Sequence, residues 1–85
     1  MTRNIQAKKN MKLSQKLMEY IANNPKAIKN LPDDASFIVF SSVDESLNEE
    51  NEGLIKSVIA EGKKVIKAIQ TRDKSNPWKF SQVAY

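Results

Sequence analysis

The sequence predicts a small α/β domain, bordering on α+β, with elements in the order α-β-α-β. An apolar segment at 35–40 is followed by an amphipathic stretch at 47–61 and then by a second apolar segment at 65–69. This order is typical of a right-handed crossover between two parallel strands. An earlier amphipathic stretch predicts the first helix, and an alternating stretch at the C-terminal end predicts a third, antiparallel strand.

The length of 85 residues indicates a single domain. Residues 1–10 are basic and have no apolar periodicity, so we expect a flexible basic arm, with a helical extension as the alternative. Met11 begins a stretch that could start a helix in its own right. The predicted domain therefore spans residues 11–85.

The composition argues against several kinds of chemistry. The chain has no cysteine for a disulfide or a thiolate site, and no histidine to act as a general base or metal ligand. We therefore expect no enzymatic activity, no catalytic residue, no metal and no other cofactor. No apolar run reaches the length of a membrane span, and the N-terminus lacks the apolar core of a signal peptide, so we expect a cytoplasmic protein without a membrane partner.

The first helix is predicted from apolar residues at positions 13, 17, 18, 20 and 21, which share one helix face. Asn24 precedes a proline and is disfavoured in the α conformation, so the helix should end there. The following strand is apolar at every position from Phe37 to Phe40, which indicates that both of its faces are covered. The crossover helix can cover one face, and the first helix or a second subunit the other.

The second helix has recognisable ends. Ser46 and Glu49 have the spacing of a capping box, with Asn48 as a competing N-cap, and Gly62 is the expected C′ residue. Asn51 falls on the apolar stripe of this helix, where a buried amide needs hydrogen-bond partners. We hypothesise that Asn51 holds the loop at 42–45, with ligand binding as the alternative.

The C-terminal stretch alternates between its two faces. Trp78 and Phe80 lie on one face and Tyr85 on the other, as in a strand. The stretch could pair antiparallel with the second strand, or it could extend the sheet of a neighbouring molecule. Trp78, Phe80 and Tyr85 are therefore the candidate interface residues.

Several short motifs occur in a fixed order along the chain. They comprise Leu17–Tyr20 and Pro25, Leu31–Ala35, Asp44, Leu47–Asn51, and a helix end at Ala60 and Gly62. In these motifs the chain resembles a small bacterial and archaeal family of α/β proteins of unknown function, over roughly residues 13–69. The resemblance implies the α-β-α-β order and carries no activity.

A ligand in an open parallel sheet would lie beyond the carboxyl ends of the strands. The candidate ligand-binding residues there are Asp44, Asn48 and Asn51. Five carboxylates between positions 44 and 52 argue against a phosphate, whereas a cation could use Asp44, Glu45 and Glu49. Stabilisation of the helix start is a sufficient structural reason for the same carboxylates.

We expect a non-catalytic interaction module. Two parallel strands with one helix on each face leave a sheet edge and apolar surface exposed, and a homodimer would cover both. A regulatory or antitoxin-like role, with a further protein partner, would suit so small a chain. The alternative is nucleic-acid binding through Trp78, Phe80, Tyr85 and a lysine-rich surface, which the central acidic block disfavours (lysines 8, 9, 12, 16, 63, 64, 67 and 79).

Overall fold

A computed structural model describes residues 2–83 of the chain. It contains two α-helices, one short 3₁₀-helix and three strands. In chain order these are α1 (Arg3–Asn23), the 3₁₀-helix (Pro25–Ile28), β1 (Ser36–Phe40), α2 (Glu45–Ala60), β2 (Val65–Gln70) and β3 (Trp78–Gln82).

The three strands form one mixed sheet in the order β1-β2-β3. β1 and β2 are parallel, with Ser36 opposite Val65, and α2 is the crossover between them. β3 pairs with β2 in the antiparallel direction, with Trp78 opposite Gln70. The predicted fold class is therefore confirmed, including the antiparallel third strand.

α1 covers one face of the sheet. Leu13 and Leu17 of α1 pack with Val39, Ala68 and Trp78, which come from all three strands. These five side chains are buried, and together with Leu47 of α2 they form the larger of two core clusters. α1 therefore covers the second face of the sheet, for which the sequence allowed either the first helix or a second subunit.

α2 covers the opposite face of the sheet. Ile55 packs with Ile38, Phe40 and Val65 in the second core cluster. Lys67, in the middle of β2, lies on the same face, where its ammonium group pairs with Glu52 of α2 and stands 5.0 Å from the centre of the Phe40 ring. Lys67 is half-buried there, so its aliphatic stem packs on this face of the sheet while its ammonium group reaches Glu52.

Two boundaries differ from the prediction. α1 begins at Arg3 instead of Met11, because the Thr2 side chain accepts a hydrogen bond from the Ile5 N–H and caps the helix. Residues 3–10, which were assigned to a flexible arm with a helical extension as the alternative, thus form the first turns of α1. At α2 the N-cap is Asp44, not Ser46 or Asn48, since the Asp44 carboxylate accepts from the Leu47 N–H.

The end of α2 agrees with the prediction. Gly62 has a φ of 79°, the left-handed conformation expected of a C′ residue. Its N–H donates to the Ile59 carbonyl and turns the chain towards β2.

Neither α1 nor any other helix within residues 2–83 combines the length and apolarity needed to span a lipid bilayer.

Candidate functional site

Asn51 lies at the junction of α1, α2 and β1. Its side chain is fully buried, as its position on the apolar stripe of α2 predicted. Nδ2 donates to the Val39 carbonyl and to Oδ1 of Asn10, both at 2.8 Å. Oδ1 accepts from Gln6 at 3.0 Å and from Asn10 at 3.1 Å. Both donors and both acceptor positions of the amide are therefore used within the protein.

The Val39 carbonyl lies on the free edge of β1. The Ser36 N–H donates to the Lys64 carbonyl, on the side of β2. Because the direction of the backbone groups alternates from residue to residue along a strand, the Val39 carbonyl points away from β2. Asn51 thus satisfies an edge carbonyl and holds β1 to both helices. Asn51 was predicted to hold the loop at 42–45, but its backbone partner is the Val39 carbonyl instead. All hydrogen-bonding positions of the Asn51 amide are used within the protein, so none is left for a ligand.

Asn48 is the residue that holds the loop after β1. Its Oδ1 accepts from the Ser41 N–H at 2.7 Å, and its Nδ2 donates to the Ser41 carbonyl at 2.9 Å. The side-chain amide therefore pairs with the backbone much as a neighbouring strand would. Of the three predicted ligand-binding residues, Asn48 and Asn51 have structural partners for their amides.

Asp44 connects the start of α2 to α1. Lys9 donates to its Oδ2 at 2.8 Å, and the Leu47 N–H donates to its Oδ1 at 3.0 Å. These hydrogen bonds, that from Lys9 first, lower the pKa of the Asp44 carboxyl below its usual value of 3.8. The carboxylate is thus ionised and paired at neutral pH.

A cleft of about 220 Å³ opens beside this ion pair, and we call it the lysine cleft. Lys9, Lys12 and Lys16 from successive turns of α1 form one wall. Ser41 and Asp44 of the loop and Gln70 at the end of β2 form the other. The cleft lies at the carboxyl ends of the parallel strands, where open α/β sheets bind ligands.

The α2 carboxylates that argued against an anion are not in the lysine cleft. Glu45, Glu49 and Glu52 line a separate hollow beside Phe40, whereas Asp44 lines the cleft and is paired with Lys9. The lysines precede the loop by about thirty residues, so sequence proximity does not associate them with this region. The sequence shows their spacing of three and four residues, but it does not show which flank of α1 faces the carboxyl ends of the strands.

The cation hypothesis loses its ligand set for the same reason. Asp44 faces Lys9, while Glu45 and Glu49 face the hollow beside Phe40. Within residues 2–83, acidic side chains do not gather in any group of three that could hold a metal ion.

The predicted aromatic surface is largely internal. Trp78 is buried in the core beneath α1, so it is not available to stack on a base or to dock a partner. Phe80 is half-buried against the same core and packs edge-to-face on Phe37, with ring centres 6.0 Å apart. Tyr85 lies outside the described residues. This correction follows from β3 lying under α1, which turns Trp78 and Phe80 inward.

An apolar groove lies on the other flank of α1, and we call it the α1–β1 groove. It is lined mainly by Leu17, Met18 and Ile21 of α1, by Ile28 and by Phe37 of β1. Its volume is about 360 Å³. Met18 and Phe37 are exposed at 63% and 37%, so apolar surface stands open to solvent beside the edge strand.

The fold and these sites define a small α/β protein with a mixed three-stranded sheet, one helix on each face and a polar junction at the edge of β1. Residues 5–76 match DUF5647, a family of unknown function. The chain belongs to this family, and the resemblance inferred from its motifs is confirmed. Neither the curated proteins nor the solved structures gave a match.

Proposed function

We propose that this chain is a non-catalytic interaction module that acts as a homodimer through the α1–β1 groove. The observation that carries the proposal is the groove itself: apolar side chains of α1 and β1 stand exposed beside an edge strand. Such surfaces mark protein contacts in soluble proteins. A regulatory or antitoxin-like role, in which the dimer acts on a partner protein, is the biological form of this proposal.

The total surface area of the chain leaves room for a contact of the size that a second copy would make. The chain exposes 6143 Å². A compact monomer of the same mass, 9.6 kDa, exposes about 5,100 Å². The surplus of about 1,000 Å² is comparable to the roughly 800 Å² that each partner buries in a standard interface.

Met18 lines the groove together with Leu17, Ile21 and Phe37, and it is the most exposed of these side chains. In a two-fold dimer each Met18 enters the groove of the other copy, because the same patch serves both partners. An unbranched thioether adapts well to such a contact.

The mass in solution tests the proposal. We expect sedimentation equilibrium at about 100 µM, a concentration at which a micromolar dimer forms, to give twice the chain mass. Met18→Lys should give a monomer, because it buries a charge in the apolar contact. Its far-UV circular dichroism should be unchanged, since Met18 is exposed in the single chain.

Ile5→Lys is the matched control. Ile5 is also an exposed apolar residue of α1, at 47%, and it lies on the helix flank away from the groove. This variant adds the same charge and should remain a dimer. A wild-type chain of monomer mass, or equal dissociation of both variants, would overturn the proposal.

A further inference from the structure

We infer that the lysine cleft binds the phosphate group of a small molecule. The cleft is on the flank of α1 opposite the α1–β1 groove, so a dimer formed through the groove leaves it open. This site is independent of the proposed function, and either can fail without the other.

Two lysines of the cleft carry uncompensated charge. Lys9 is paired with Asp44, but neither Lys12 nor Lys16 forms an ion pair with any carboxylate of residues 2–83. Positions four apart on a helix place their side chains on one face, about 5–6 Å apart at Cβ. The two ammonium groups can therefore approach one anion from the same wall.

The opposite wall contains two side chains, Ser41 and Gln70, whose oxygens already accept hydrogen bonds and whose O–H or N–H groups remain to donate. The Ser41 hydroxyl oxygen accepts from the N–H groups of Val43 and Asp44, which leaves its O–H to donate. The Gln70 carbonyl oxygen accepts twice from Ser42, which leaves the Gln70 amide NH₂ to donate. No described residue accepts a hydrogen bond from either group.

The cleft thus combines two lysines outside any ion pair with two neutral donors, and its one carboxylate is occupied by Lys9 and the Leu47 N–H. A group that only accepts hydrogen bonds and carries up to two negative charges fits this set, and phosphate has more acceptor oxygens than a carboxylate. Leu13, Val43 and Leu47 add apolar surface for the organic part of the ligand. The small volume favours a small molecule over a nucleic-acid strand, which needs an extended basic track.

Titration with inorganic phosphate, followed by ¹H–¹⁵N correlation spectra at low ionic strength, tests the inference. We expect saturable shifts of the backbone amides of Ser41, Val43 and Gln70. Acetate at equal ionic strength should not saturate the same signals. The double variant Lys12→Gln/Lys16→Gln should weaken phosphate binding at least about tenfold, because it removes both charge-assisted contacts.

Lys8→Gln/Lys29→Gln makes the same change in net charge at two exposed lysines that do not line the cleft. It should bind phosphate like the wild type. Equal loss in both double variants, or shifts spread over the lysines outside the cleft, would reduce the effect to general charge and overturn the inference. A short oligonucleotide without terminal phosphate that causes the same shifts at lower concentration would also overturn it, in favour of nucleic acid.

Discussion

Asn10 and Asn51 form a reciprocal pair of side-chain hydrogen bonds between α1 and α2. The Nδ2 of Asn10 donates to Oδ1 of Asn51 at 3.1 Å, and the Nδ2 of Asn51 donates back at 2.8 Å. Because Asn51 also holds the Val39 carbonyl, this pair connects the N-terminal half of α1 to the edge of the sheet. Gln6 and Asn10, within the segment predicted to be a flexible arm, are therefore part of the packed structure.

Replacement of Asn51 by leucine should destabilise the protein. The change leaves the Val39 carbonyl and the amides of Asn10 and Gln6 without a buried partner, and the added apolar contact does not restore their hydrogen bonds. We expect the free energy of unfolding to fall by at least about 2 kcal/mol, which urea denaturation measures.

Asn4→Leu is the control for this change, because Asn4 is an exposed residue of α1, the helix that supplies Gln6 and Asn10. Its unfolding free energy should change by no more than about 0.5 kcal/mol. An Asn51→Leu variant as stable as the wild type, or more stable, would show that the junction is not needed.

The stability of the protein should depend on the ionisation of Asp44. Its folded-state pKa is lowered, mainly by the hydrogen bond from Lys9, below the usual value of 3.8 that applies in the unfolded chain. The stabilisation is therefore fully present above the unfolded-state pKa and is lost as the pH falls through the lower, folded-state value. Asp44→Asn keeps a good N-cap residue but removes the charge.

Urea denaturation between pH 6 and pH 2 should show a difference in the free energy of unfolding between the wild type and Asp44→Asn that shrinks as the pH falls. The wild type should be more stable than Asp44→Asn at pH 6, and the two should converge at low pH. Asp33→Asn, in the exposed turn before β1, should show little difference from the wild type across the range. A constant gap between the wild type and Asp44→Asn would mean that the charge is not what stabilises.

The burial of Asn51 could be predicted from the sequence, but its partners could not. Helical spacing from Leu47 to Ile55 places position 51 on the apolar face of α2. Gln6 and Asn10 precede it by 45 and 41 residues, in a segment without apolar periodicity. Side-chain periodicity reports which face of an element is buried, whereas contacts between distant polar residues depend on how the elements pack.

The lysine cleft shows the same division for a candidate site. The strand–helix–strand pattern correctly located the carboxyl ends of β1 and β2, because apolar periodicity and Gly62 define those elements. The charge of that region was misjudged, since α1 brings Lys12 and Lys16 there while α2 turns Glu45 and Glu49 away. The rotation of α1 and α2 about their axes therefore determines the charge of the lysine cleft, and no local sequence pattern specifies that rotation.

The single tryptophan allows a direct test of the packing beneath α1. Trp78 is buried with Leu13 and Leu17, so acrylamide should quench its fluorescence several-fold less in the folded protein than in urea. Trp78→Ala should lower the unfolding free energy by about 3–5 kcal/mol through the cavity it leaves, whereas Val43→Ala, at a residue 70% exposed, should cost no more than about 0.5 kcal/mol. Efficient quenching in the folded state would instead place the indole on the surface and revive its role in stacking on nucleic acid.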